Sequence, residues 1–271
     1  GLDFARYGTE ADADAIRDTA VAQPLLVAAA LCAWEALGVG REGRLVTAGH
    51  SVGEFAAAAI AGVLNAEQAI VLVRERGRQM AAAAAVEPTS MTAVLGGEAD
   101  DVLRAIAEGG LTAANHNGAG QIVAAGTVAQ LAALAANPPA RARLVPLSVA
   151  GAFHTVHMAP ALARLARLAR AVAAADPAMP ILTNFDGTAV PSGADYLAKM
   201  VDQVANPVRW DLCMATMAAM GVTGLLELPP AGTLTGIAKR NLKGVELLAL
   251  NSPDQLDEAR AFAAKHAQAA A

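Results

Sequence analysis

Ser51, His154 and Arg76 are the residues of this chain whose types and settings point to chemistry. Ser51 lies in Gly49-His50-Ser51-Val52-Gly53-Glu54, between the apolar pair Leu45-Val46 and an alanine-rich run over 55–63. Strand, tight turn and helix in that order make Gly-x-Ser-x-Gly a nucleophile elbow. A serine on such a turn projects its hydroxyl clear of the sheet. The flanking glycines leave room for strained backbone and for close strand–helix contact. The helix that starts at Val52 aims free backbone N–H groups and its positive end at the place where an oxyanion would form.

A serine is a weak nucleophile until a base takes its proton, and five histidines are available. His266 lies in the tail and reads as solvated. His116 sits in a turn region where solvent contact is the default, and His157 begins the helix after His154 with no special context. His50 adjoins Ser51, but neighbours on an extended backbone point apart, so it reads as a pocket-lining group. His154 follows a strand over 143–149 and, paired with the elbow, is the leading base. No Asp or Glu stands out as its orienter. Asp186 and Asp202 have ordinary turn and helix settings, and a backbone or amide carbonyl is the other means of holding the imidazole. Arg76 stands close to Arg74 and Arg78 and on its own reads as a surface arginine. Beside an acylated serine, a guanidinium would suit an acyl group carrying a carboxylate.

The rest of the chain must position these groups. Of its 271 residues 55% are hydrophobic and 17% charged, which supports a sizeable core and excludes wholesale disorder. Alanine dominates the apolar share and aromatics are only 3%, which favours packed helices over a β-sandwich. A net charge of -5 gives no support to a nucleic-acid partner. Cys32 and Cys213 read as buried free thiols in a reducing compartment. The opening residues do not form a secretory signal, and the longest apolar run, 24–34, falls short of the ~20 residues of a membrane span. A soluble, cytoplasmic protein is expected.

Segment 9–18 is polar and acidic. Helices are expected over 21–37 (capped by Asp18-Thr19), 55–63 and 67–85, with a strand over 44–48 entering the elbow. Strands over 91–95, 111–114, 121–125 and 143–149, with helices over 99–108 and 128–136, give β-α-β-β-α-β, the order of a ferredoxin-like unit. An amphipathic helix then starts near Pro160, its basic side of Arg164, Arg167 and Arg170 reading as solvated. Strands over 181–184, 225–228 and 246–250 alternate with helices over 196–204, 211–220 and 234–242, and the alanine-rich tail is helical.

With Gly49-His50-Ser51-Val52-Gly53-Glu54, Arg76-Gly77 and Phe153-His154 in view, the chain resembles the malonyl-CoA:acyl-carrier-protein transacylases of bacterial fatty-acid synthesis. More broadly it is similar to the acyltransferase family shared with polyketide synthases. Further ordered matches are Thr19-Ala20-Val21-Ala22-Gln23-Pro24, Ala114-Asn115-His116-Asn117 with Gly120-Gln121-Ile122-Val123, Asn206-Pro207-Val208-Arg209-Trp210, and Leu234-Thr235-Gly236-Ile237-Ala238-Lys239-Arg240. The resemblance implies an α/β-hydrolase-like large domain, 1–88 and 152–271, with an inserted ferredoxin-like (βαββαβ) small domain, 89–151.

It also implies transfer of malonyl from malonyl-CoA to the phosphopantetheine thiol of acyl carrier protein, by a ping-pong route through malonyl-serine. Ser51 would be the nucleophile and His154 its base. The Gln203 main-chain carbonyl would orient His154, and the Val52 N–H would be one oxyanion donor. Arg76 would pair with the malonyl carboxylate, with His50, Phe153 and Asn117 also at the substrate. Phenylalanine before the histidine resembles the malonyl-selective form of the motif. No cofactor or metal is implied, and a monomer is expected. The family opens with a strand ending in Gly-Gln-Gly-Ser-Gln, whose first glutamine completes the oxyanion hole. Residues 1–18 contain no match, Gln23 belongs to a different motif, and the segment is expected upstream of Gly1 in the natural protein. Competing readings are a serine esterase or thioesterase, a malonyl transferase of polyketide synthesis, and a non-catalytic carrier-binding fragment. For the last, Lys239, Arg240, Lys243 and Arg209 would offer a basic face.

Overall fold

The elbow lies between the strand Thr47–Ala48 and the helix Gly53–Ile60 in a computed structural model that describes residues 2–41, 43–149 and 151–268. Gly1 and the end of the tail lie outside the described residues. The strand is shorter than the expected 44–48, since only Thr47 and Ala48 pair, in parallel, with Ile181 and Leu182. A second parallel pair joins Gly224–Glu227 to Glu246–Ala249.

Helices pack around these strands. The elbow helix is buried along nearly its whole length, and its alanines Ala56 to Ala59 share one core with Leu72, Val73, Met80, Leu165 and Met200. Small side chains allow such close approach on every face. The helix Thr19–Leu37 opens with Asp18 accepting from the Ala20 N–H. By length and composition it is apolar enough to cross a membrane, a test that packed helices of globular proteins also pass. In the fold it packs on the helices Ala66–Ala84 and Gly53–Ile60. Its Cys32 is exposed, whereas Cys213 is buried as expected. A side chain at Gly77 would place its Cβ 2.7 Å from the Thr19 carbonyl oxygen, so glycine lets helices Thr19–Leu37 and Ala66–Ala84 touch.

Residues 89–146 form a four-stranded antiparallel sheet in the order Thr112–His116, Gln121–Thr127, Thr89–Gly96, Ala142–Pro146. Its helices, Ala99–Glu108 and Val128–Ala136, fall where expected. Alternate residues of these strands enter two cores. Val94, Ile122 and Ala124 meet the helix residues Val102, Ile106 and Leu131, while Met91, Ala93, Val123 and Ala125 face Ala152. The whole is a mixed α/β fold that joins a ferredoxin-type antiparallel sheet to helix-flanked parallel strand pairs.

The leading segment, polar and acidic over 9–18, is almost wholly exposed and holds short helices. Phe4–Thr9 and Ala13–Arg17 are short helices, capped by the side chains of Asp3 and Asp12. Neither buries a residue, so no apolar periodicity marks them. The tail helix Leu256–Gln268 docks through Lys265 and His266 on Glu246.

Candidate active site

Ser51 holds φ 53°, a left-handed conformation that costs a non-glycine residue energy and must be held by its surroundings. Gly49 is demanded by the turn, because a Cβ there would overlap the carbonyl of Gly53. Gly53 has open space at its own Cβ position, so the elbow requires only the first of the two glycines for room. Val52 is the N-cap of the following helix, and its N–H has no hydrogen-bond acceptor among the described residues. That one donor is free to meet an anion, whereas the N–H groups of Gly53, Glu54 and Phe55 are taken by the carbonyls of His50, Ser51 and Val52.

His154 lies 103 residues away in sequence, yet its Nε2 is 2.7 Å from Ser51 Oγ. Its backbone is also left-handed, at φ 63°, and its N–H donates to the Val204 carbonyl oxygen at 3.2 Å. Its Nδ1 lies 2.8 Å from the main-chain oxygen of Gln203. A carbonyl can only accept, so Nδ1 carries the proton and Nε2 presents a lone pair to Ser51. The turn Gln203–Ala205 thus supplies what a carboxylate supplies in other serine sites. Asp186, one of the carboxylates weighed from sequence, is engaged with Thr188 and Lys199. Burial, then the Arg76 charge, lowers the His154 pKa to about 3, with the Gln203 contact working the other way.

Arg76 is 1% exposed, which overturns its reading as a surface residue. One Nη donates to Gln23 Oε1 at 2.5 Å, and the other to Gln203 Oε1 at 2.9 Å and to Ser51 Oγ at 3.1 Å. Its Nε is buried without an acceptor among the described residues. The guanidinium also lies over the Phe55 ring, 5.8 Å from the centroid. Beneath it, Glu54 is fully buried, and burial pushes its carboxyl up to about 7.

The acyl transferase domain family model matches residues 8–270. Over 262 residues the chain is 52% identical to the malonyl CoA-acyl carrier protein transacylase of Mycobacterium tuberculosis strain ATCC 25618 / H37Rv, covering 95% of this chain and 86% of that relative. The chain belongs to the acyl transferase family, among its malonyl CoA-acyl carrier protein transacylases. The crystal structure of MCAT from Mycobacterium tuberculosis matches with a TM-score of 0.92 at 53% identity, covering 95% of this chain and 86% of that one. A malonyl-transacylase solved in complex with its type II PKS acyl-carrier protein matches with a TM-score of 0.88 at 30% identity, covering 96% and 87%.

The other residues expected from the sequence lie beside members of this cluster, His50 and Phe153 as chain neighbours of Ser51 and His154, and Asn117 through His50. His50 Nε2 lies 2.9 Å from Asn117 Oδ1, and its ring meets Trp210 edge-on at 5.6 Å. Burial lowers the His50 pKa, so this imidazole is a neutral member of the wall. Asn117 sits just past the small sheet's strand Thr112–His116, and its main-chain oxygen accepts from Asn241. Phe153 packs against the cores of both the elbow helix and the small sheet.

Three residues at the site were not singled out from the sequence as members of it: Gln23, Asn184 and the side chain of Glu54. Gln23 holds Arg76, and Asn184 accepts from the Ser51 N–H at 2.7 Å. The only signal was that Gln23 and Glu54 stand inside family motifs. His266 is not solvated as expected; it contacts Thr223 at 2.9 Å and Glu246 at 3.3 Å. Of the basic face, Arg209 is spent on Asp211 and Arg240 on Gln121. Among the described residues no cluster of His, Cys, Asp or Glu could hold a metal ion.

Proposed function

We propose that the chain transfers malonyl from malonyl-CoA to the phosphopantetheine thiol of an acyl carrier protein, for fatty-acid biosynthesis, through a malonyl ester on Ser51. The observation that carries this is Ser51 Oγ set between His154 Nε2 at 2.7 Å and the Arg76 guanidinium at 3.1 Å. A base and a carboxylate-binding cation on one hydroxyl suit an acyl group that bears its own negative charge. In the first half-reaction Ser51 Oγ attacks the thioester carbonyl and gives its proton to His154 Nε2. The Val52 N–H meets the developing oxyanion. Collapse expels the coenzyme A thiolate, which takes the proton from His154. In the second half the carrier's thiol gives its proton to His154 and attacks the ester, and Ser51 leaves with that proton. Throughout, the Gln203 carbonyl keeps the imidazole in the productive tautomer.

Arg76 pairs with the malonyl carboxylate and its unpartnered Nε is a further donor toward it. His50, Asn117 and Phe153 line the acyl and thioester path. We read 1–88 and 152–271 as an α/β-hydrolase-like domain and 89–151 as an inserted ferredoxin-like domain; the strand–elbow–helix at Ser51 and the strand order of the small sheet support this. Both substrates are water-soluble, which suits a cytoplasmic monomer that needs no membrane or nucleic acid. Mass spectrometry after mixing with malonyl-CoA tests the proposal. A malonyl adduct on Ser51 that leaves on adding the carrier thiol is expected; a folded protein left unmodified would overturn it.

A further inference from the structure

We propose that Glu54 and Asn184 are positioning residues for the nucleophile, a role that rests on the reading of Ser51 as the group acylated. Neither side chain reaches Ser51 Oγ. Both act on the backbone that aims it.

Asn184 is fully buried and spans the elbow turn. Its Oδ1 accepts from the Ser51 N–H at 2.7 Å and its Nδ2 donates to the Gly49 carbonyl oxygen at 2.7 Å. One carboxamide therefore clamps the two ends of the strained segment. On the other side, Gln203 Nε2 donates to the Ser51 carbonyl oxygen at 3.0 Å. Ser51 is thus held at its N–H and its C=O by side chains from two other elements.

Glu54 anchors both of those side chains. One carboxylate oxygen accepts from the Asn184 main-chain N–H at 2.7 Å, and the other from Gln203 Nε2 at 2.6 Å. The Gln203 amide has one workable orientation. Its oxygen must face the donor-only Arg76, and its nitrogen must face the acceptors Glu54 and Ser51 C=O. The same residue's main-chain oxygen holds His154. From the first turn of the elbow helix, one carboxylate ties down the serine's N–H side through Asn184, and its C=O side and the base through Gln203.

Near-isosteric changes separate positioning from packing. Glu54→Gln keeps the shape but offers one acceptor to two donors, so the Gln203 amide loses its fixed orientation. Asn184→Asp keeps the acceptor for the Ser51 N–H and, when ionised, loses the donor to Gly49. Two measurements on the full chain are needed. One is the rate at which phenylmethylsulfonyl fluoride modifies Ser51, read by intact mass; it uses neither malonyl nor carrier. The other is kcat and KM for malonyl-CoA. Both variants are expected to slow Ser51 modification and kcat by about 10- to 100-fold, with KM nearly unchanged and a cooperative thermal transition retained. Glu54→Asp, which keeps two acceptors, is expected to recover part of the loss, and it carries the test if Glu54→Gln does not fold. Folded variants that react with the sulfonyl fluoride at the unaltered rate would overturn the proposal. Normal sulfonylation of the unaltered chain with no malonyl adduct would instead overturn the proposed function and leave the positioning role standing.

Discussion

Arg76 and His154 act on one another across Ser51. The buried guanidinium helps to hold the imidazole's pKa at about 3, so the base stays neutral through the mildly acid range. On the proposed reading, an acyl carboxylate paired with Arg76 would cancel that repulsion, and the imidazole would gain proton affinity once the acyl group is seated. An imidazole with a lowered pKa loses its free lone pair only when pH falls to that lowered value. The acid limb that His154 itself sets in kcat/KM for malonyl-CoA is therefore expected well below the ordinary histidine value of 6.5. Arg76→Ala is expected to move the limb upward and to cost roughly 10²-fold in kcat/KM for malonyl-CoA, with little change for acetyl-CoA. A pH profile on both substrates, run on the unaltered chain and on Glu54→Gln, checks this: a limb near 6.5 that persists in Glu54→Gln would contradict it, whereas a limb near 7 that is lost there belongs to Glu54. Ser51 and His154 could be read from the sequence through the elbow and its need for a base, whereas Arg76 is placed by the family resemblance alone. Asn184 could be read by neither route. It follows a two-residue strand, carries no motif, and meets Glu54 across 130 positions and Gly49 across 135.

At the scale of elements, two glycines with equal standing in the sequence part company. The space beside Gly49 is filled by the Gly53 backbone, which cannot swing aside, whereas nothing lies within 4 Å of a Cβ on Gly53. Gly49→Ala is expected to abolish Ser51 modification, and Gly53→Ala to fold and stay active. Measuring Ser51 labelling in both would refute this account if the two behaved alike. The helix contact at Gly77 couples packing to chemistry. A Cβ there meets the Thr19 carbonyl oxygen at 2.7 Å and Ala20 Cα at 3.2 Å. Both are backbone, so the helices must separate, and Gln23 on helix Thr19–Leu37 moves away from Arg76. Gly77→Ala is expected to cost about 1–3 kcal/mol in thermal or urea unfolding and to weaken the preference for malonyl over acetyl. An alanine variant as stable and selective as the parent would remove that link. Helices Ala99–Glu108 and Val128–Ala136 could be placed from sequence to the residue, because each has an amphipathic run between clear breaks. The strand entering the elbow could not, since its apolar residues Leu45 and Val46 stand before the two that pair.

Over the whole molecule, the buried titrating groups at the site oppose one another. His154 is neutral in the folded state down to about 3, whereas an unfolded histidine takes up a proton near 6.5. Below that pH the unfolded chain binds the extra proton, and stability falls as pH falls. Burial also lowers His50, and burial with Arg209 lowers His116, so both add to the same side. Glu54 works in reverse. Its folded pKa of about 7 lies above its ordinary 4.5, so between those values the folded chain holds the extra proton and gains stability as pH falls. From roughly pH 6.5 down to 4.5 the His154 and Glu54 contributions cancel, leaving the slope to His50 and His116. Glu54→Gln removes one side of that balance. Its unfolding free energy is expected to fall more steeply with acid than that of the parent, by about 1.4 kcal/mol per pH unit in this window. Urea titrations of both proteins across the window measure the difference directly. Parallel curves would mean that Glu54 is already ionised in the fold, held by Arg76 and its two amide donors strongly enough to outweigh its burial.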